Sequence, residues 1–179
     1  MGLGDEIMVT GEVRRLRLRD PRPVLVLGGN GKPRFHELWA DNLGIATDPL
    51  GDYQRIVNGP GCRPYIDYGR TTKDRWAYTD WRCTPGELPW CRPDRRGRGR
   101  IIVEPHLKAN ASPNKQWGWA RWQRLVAMAP ALPWAQMGAP GTAWLDGVER
   151  IETRSFLVAC EVLATARASV LPEGGLHHA

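Results

Sequence analysis

The sequence predicts an α/β chain of two Rossmann-like βαβ lobes, incomplete at its N- and C-termini. From Ile101 onward, short apolar runs alternate with segments whose apolar residues recur at helical spacing, the order of a parallel sheet with crossover helices. Earlier in the chain, Val24-Leu25-Val26-Leu27 reads as a buried strand closed by Gly28-Gly29-Asn30-Gly31, with a helical pattern on either side. Between the two parts, 91–100 offers only Cys91 to an apolar core and is otherwise arginine, glycine, proline and aspartate. Such a composition reads as a linker. The expected division is therefore an N-terminal lobe over 1–91, a linker over 92–100 and a C-terminal lobe over 101–179.

In the first lobe, Asp5 is a good N-cap residue, and Val9, Val13 and Leu16 follow at i, i+4 and i+7. The outer face of that helix carries Arg14, Arg15, Arg17 and Arg19, and Asp20-Pro21 ends it. After the Val24 strand and its glycine turn, 34–40 predicts a short helix. The stretch 50–90 is rich in glycine, proline and aromatic residues, with 54–57 and 64–68 as short strand candidates.

The second lobe opens with a strand over 101–103 and a loop bearing Lys115. A helix follows with Trp122, Leu125, Val126 and Ala129 on one face. A strand over 134–137 comes next, then a helix with Phe156, Ala159, Cys160 and Leu163 at the same spacing, then a strand over 168–171. The turn Gly174-Gly175 should open a further helix. At the other end, the loop Gly2 to Asp5 should follow a strand that the sequence does not contain, so the chain reads as truncated at both ends.

Composition bounds the function classes. With 42% hydrophobic residues, the chain can bury an ordinary core or two small ones, and 25 Lys and Arg against 19 Asp and Glu give a net charge of +6. That balance favours anionic partners such as nucleotides, phosphorylated sugars or nucleic acid. No run approaches the roughly 18 to 20 apolar residues of a membrane span, and the N-terminus lacks a signal-like core, so the expected location is cytoplasmic. Cys62, Cys83, Cys91 and Cys160 lack metal-ligand spacing and read as reduced thiols, so no metal is expected. Nine tryptophans, among them Trp76, Trp81, Trp90, Trp117, Trp119 and Trp122, suit packing first and ring stacking on a ligand second.

Three short segments carry chemistry. Gly2-Leu3-Gly4-Asp5 begins the chain, Asn114-Lys115-Gln116-Trp117 follows a strand, and Glu173-Gly174-Gly175-Leu176-His177-His178 ends it. An ammonium and free backbone N–H groups at a helix start both seek anionic oxygen, so the last two segments suit a diphosphate. Taken in this order, the three segments resemble the ninth glycosyltransferase family, which contains the lipopolysaccharide heptosyltransferases. The resemblance is closest from Ile101 onward and loosest between 45 and 95.

That resemblance implies a GT-B architecture, with the acceptor held by the first lobe and a nucleotide-sugar donor by the second, and sugar transfer with inversion. Asp5 would be the general base, against its plain reading as a helix cap, with Glu6 as the alternative carboxylate and Gly2 and Gly4 shaping the acceptor-side loop. Lys115, Gly174, Gly175, Leu176 and His178 would meet the donor phosphates. Asn114, Met137, Gly138 and Glu173 would make the other donor contacts. Glu173 and Gly174 stand where the heptosyltransferases commonly carry Asp-Thr, so a hydroxyl ligand is absent. The implied partners are a nucleotide-sugar, an ADP-sugar first, and a glycan acceptor that could bring the protein to a membrane surface. No cofactor or essential metal is implied.

Two rival readings follow from the same residues. Arginines in 92–100 and the many tryptophans could serve a polynucleotide, but one connector does not make a basic face, and no nucleic acid is expected as partner. A non-catalytic remnant of the same fold is the other.

Overall fold

The computed structural model describes residues 2–79, 85–88, 92–108 and 111–178. The readings placed on Trp81, Cys83, Trp90 and Cys91 lie outside them. The chain divides into two compact units, one of residues 1–90 with 178–179 and one of residues 91–177.

In the first unit, helix α1 (Leu3–Arg17) precedes strands β1 (Val24–Leu27) and β2 (Gln54–Val57), which pair in parallel from Val24 with Gln54 to Leu27 with Val57. The helix begins three residues earlier than the Asp5 cap predicts. Gly2 is the N-cap, and Asp5, third in the helix, reaches back to accept the Gly2 N–H at 2.9 Å. A carboxylate in the first turn satisfies an orphan donor there as well as one at the cap position. Arginines 14, 15 and 17 fill the last turn, where positive charge opposes the helix dipole favourably.

The helix is buried on every face from Glu6 to Val13, polar residues included. Its Thr10 hydroxyl donates to Ile7 O at 2.7 Å and accepts from Glu87 N at 2.7 Å. Its own Ile7, Val9 and Val13, together with Val24, Val26, Leu38 and Trp39, are fully enclosed apolar residues of this unit. The helix expected over 34–40 is a single 3-10 turn, Glu37–Trp39, capped by His36 Nδ1 accepting from Leu38 N at 3.1 Å. The strand expected over 64–68 is an isolated bridge between Ile66 and Tyr78, with Tyr65 and Ile66 packed on Met8.

The second unit holds a four-stranded parallel sheet in the order β5-β4-β3-β6, formed by β3 (Ile101–Val103), β4 (Trp134–Gly138), β5 (Glu149–Glu152) and β6 (Ala168–Val170). Helices α2 (Trp119–Met128) and α3 (Phe156–Leu163) are the crossovers. Adjacent strand residues point to opposite faces. Ile102, Ala135, Met137 and Ile151 meet Ala159 and Val162 of α3, while Val103 and Trp134 meet Trp122 and Val126 of α2. Helices thus cover both faces, and the fold is mixed α/β with parallel sheets, compatible with a Rossmann-like arrangement.

Residues 92–100 are docked in the second unit and do not form the expected linker. Asp94 N donates to Glu161 O at 2.9 Å, and Asp94 caps a 3-10 turn at Arg95–Gly97. Gly97 is buried so closely that a Cβ there would lie 2.0 Å from the Val162 carbonyl oxygen. The contact is made by backbone and glycine, which explains why an apolar-poor composition conceals it. Among the described residues, no helix is long and apolar enough to cross a membrane.

Candidate functional site

The start of α1 meets the loop after β2 at the carboxyl edge of the first unit's sheet, where Asn58 Nδ2 donates to the Asp5 carbonyl at 3.3 Å. Ligands of open α/β sheets bind at such edges. The Asp5 carboxylate accepts from the Tyr65 hydroxyl at 2.6 Å and the Gly2 N–H at 2.9 Å. Arg63 Nε lies 2.7 Å from its Oδ1, and Arg63 Nη2 donates to its Oδ2 at 3.4 Å. Burial pushes the Asp5 carboxyl up, but Tyr65, Gly2 and Arg63 together outweigh it and hold it below the usual carboxylate range. Burial first, then Asp5, drives the Tyr65 phenol well above its ordinary value.

Glu6, the alternative carboxylate, is not open to an acceptor. Its side chain is 3% exposed and its Oε1 accepts from Arg34 Nη2 at 2.7 Å. Arg34 also donates to the Asn58 carbonyl at 3.0 Å and lies over the Trp39 ring at 5.3 Å. Trp39 Nε1 in turn donates to Glu6 O at 2.8 Å. His178 belongs to this unit, and its ring occupies the space where a Cβ at Gly4 would lie, 2.7 Å from Cδ2.

In the second unit, the carboxyl ends of β3 and β6 carry the polar groups. Glu104 follows β3 and is nearly buried, and its Oε1 accepts from the His106 backbone N–H at 2.9 Å and lies 2.8 Å from the His106 Nδ1. Burial raises the Glu104 carboxyl, against the opposing pull of His106. The His106 ring lies 5.6 Å from that of Trp119, the first residue of α2. Gly118, the N-cap of α2, sits at φ 89°, a left-handed conformation that favours glycine. Lys115 ends the 3-10 turn Pro113–Lys115 and is ion-paired with Glu173, beyond β6.

The remaining expected donor residues divide. Asn114 Oδ1 accepts from the Ser112 hydroxyl at 2.5 Å, next to Lys115. Among the described residues, the nearest atom beyond its chain neighbours to the place of a Cβ at Gly174 is the Pro172 carbonyl oxygen at 3.9 Å, so a side chain is not excluded there by close contact. Gly175 begins a 3-10 turn, Gly175–His178, in place of the expected start of an α-helix, and Leu176 packs on the core. Met137 is wholly buried in that core, so its side chain is not available to a base as expected. A Cβ at Gly138 would meet Thr142 Oγ1 at 2.4 Å, so Thr142 covers that strand end. Trp122 is buried, whereas Trp76, Trp117 and Trp119 are exposed.

Sequence reasoning assigned no role to Arg63, Tyr65, Arg34 or the Glu104 and His106 pair. Only Glu104-Pro105-His106 carried a local signal, a carboxylate and an imidazole two residues apart at a strand end. Among the described residues, no group of three or more His, Cys, Asp or Glu could hold a metal ion. No protein-family model matches the chain, nor does any curated protein or solved structure.

Proposed function

We propose that the chain belongs to a GT-B glycosyltransferase of the heptosyltransferase type, which moves a sugar from a nucleotide donor to a glycan acceptor. One observation carries the reading: Lys115, Glu173 and Glu104 with His106 gather at the carboxyl edge of a parallel sheet, where α/β folds take nucleotides. In the free protein Lys115 is matched by Glu173. A donor diphosphate, with more negative charge than one carboxylate, would draw the ammonium away and offset the charge that gathers as it leaves. The open backbone at Gly174 would let phosphate approach.

Asp5 is the carboxylate for the acceptor hydroxyl. Its present partners leave it ionised, as a base must be, but also occupy both oxygens. Accepting a proton therefore requires the acceptor to replace Tyr65 or Arg63 at the carboxylate. Direct displacement at the anomeric carbon then gives inversion.

Calorimetric titration with ADP, GDP and UDP and their sugars, on the wild type and Lys115→Ala, tests the reading. The expected result is saturable binding selective for one nucleotide and lost in the variant. A folded protein that binds none of them ends the proposal. Polynucleotide binding is less well supported, since Arg96 and Arg100 are already paired with Asp94 and Glu149.

A further inference from the structure

We propose that Glu104 and His106 form a positioning pair that aims the His106 imidazole at the donor diphosphate, an inference that rests on the donor-site reading above. A carboxylate taken out of water costs free energy unless it is well bonded. Glu104 is nearly buried at the end of β3, a central strand flanked by β4 and β6, and among the described residues both hydrogen-bond contacts of its carboxylate go to His106. The backbone bond fixes the position of residue 106. The Nδ1 contact fixes the ring's tautomer and orientation.

With Nδ1 turned to Glu104, the ring's other nitrogen, Nε2, is its remaining polar atom. The His106 side chain is 32% exposed while that of Glu104 is 11% exposed, so the pair runs from the interior outward with the imidazole at the surface. Trp119 flanks the ring and limits its rotation. In the imidazolium form both ring nitrogens donate, Nδ1–H to Glu104 and Nε2–H to phosphate oxygen. No bond is made or broken in this step, and the proton comes from solvent. Glu104 acts only through His106, and His106 touches the ligand.

Two measurements test the pair. The first follows the imidazole 15N signals of His36, His106, His177 and His178 in the wild type during titration with ADP, GDP, UDP and inorganic pyrophosphate. The second compares affinity and thermal midpoint in His106→Asn, His106→Gln and Glu104→Gln. Asparagine keeps a donor near Nδ1 for Glu104 and removes the Nε2 end, while glutamine keeps a donor near Nε2. The expected result is movement of His106 Nε2, with His106→Asn binding about tenfold or more weakly at an unchanged midpoint, a loss of the size of one charge-assisted hydrogen bond. His106→Gln should bind more tightly than His106→Asn, and Glu104→Gln should weaken binding with its fold intact.

Nucleotide binding that needs Lys115 but leaves His106 still, with His106→Asn equal to wild type, overturns the pair and keeps the donor site. Movement of His106 by pyrophosphate alone, with no nucleotide bound, keeps the pair as an anion site and removes the nucleotide-sugar reading. No binding of any probe and no movement of His106 overturns both.

Discussion

Arg34→Ala should be among the most damaging single substitutions in the first unit. It removes the 2.7 Å partner of a carboxylate that is 3% exposed, and the other oxygen, Glu6 Oε2, has no hydrogen-bond partner among the described residues. The bond to the Asn58 carbonyl and the stacking over Trp39 go with it. Breaking a buried ion pair from one side costs about 3–5 kcal/mol, because the surviving charge is stranded. Against a domain stability of about 5–15 kcal/mol, that is a large share. For a unit of this size each kcal/mol shifts the midpoint by about 4–8 °C, so a fall of at least about 12 °C is expected. Urea denaturation followed by tryptophan fluorescence measures the free-energy loss, and thermal unfolding followed the same way measures the fall in midpoint. Glu6→Leu with Arg34→Met, which removes both charges and keeps volume, should recover most of the loss. An Arg34→Ala protein within about 1 kcal/mol of wild type, or a double variant no better than the single one, would refute the reasoning.

Gly97→Ala drives a methyl group to 2.0 Å from the Val162 carbonyl, a backbone atom that cannot swing aside, and should cost about 1–3 kcal/mol in urea. An unchanged midpoint would mean that 92–100 is not docked in solution. Tyr65→Phe removes the 2.6 Å hydroxyl from ionised Asp5, at a cost of about 1.5–3 kcal/mol at neutral pH. The sign with pH follows from the lowered Asp5 pKa: its stabilisation is complete above the usual carboxylate range and is lost as pH falls through the folded value. Tyr65→Phe should shrink that acid-sensitive part and complete its loss at higher pH, as urea midpoints from pH 7 to 3 would show. Coincident acid profiles for the two proteins would sink the assignment.

The elements that sequence revealed are those whose apolar residues repeat. Strand β1 is a continuous apolar run, and Trp122 with Val126 and Ala159 with Cys160 mark the buried stripes of α2 and α3. Strand β5 escaped because Glu-Arg-Ile-Glu, an edge strand, buries only Ile151. The helix start was misread because Asp5 caps from inside the first turn, and the docking of 92–100 was hidden because a glycine makes its closest contact.

The site was legible only where its chemistry is local. Lys115 and the glycines at 174 and 175 suggest a phosphate loop by type, but the pairing of Lys115 with Glu173 joins the loops after two neighbouring strands, β3 and β6, that are distant in sequence, and leaves no trace in spacing. The same holds for Asp5, whose partners Arg63 and Tyr65 arrive from the loop after β2. Those partners change what the residue can be. A lone aspartate at a helix start is a cap or a base, whereas one with Tyr65, Arg63 and Gly2 around it has both oxygens engaged as a cap has. On the proposed reading, basicity at position 5 is coupled to acceptor binding, because the donors that keep the carboxylate ionised also occupy both of its oxygens.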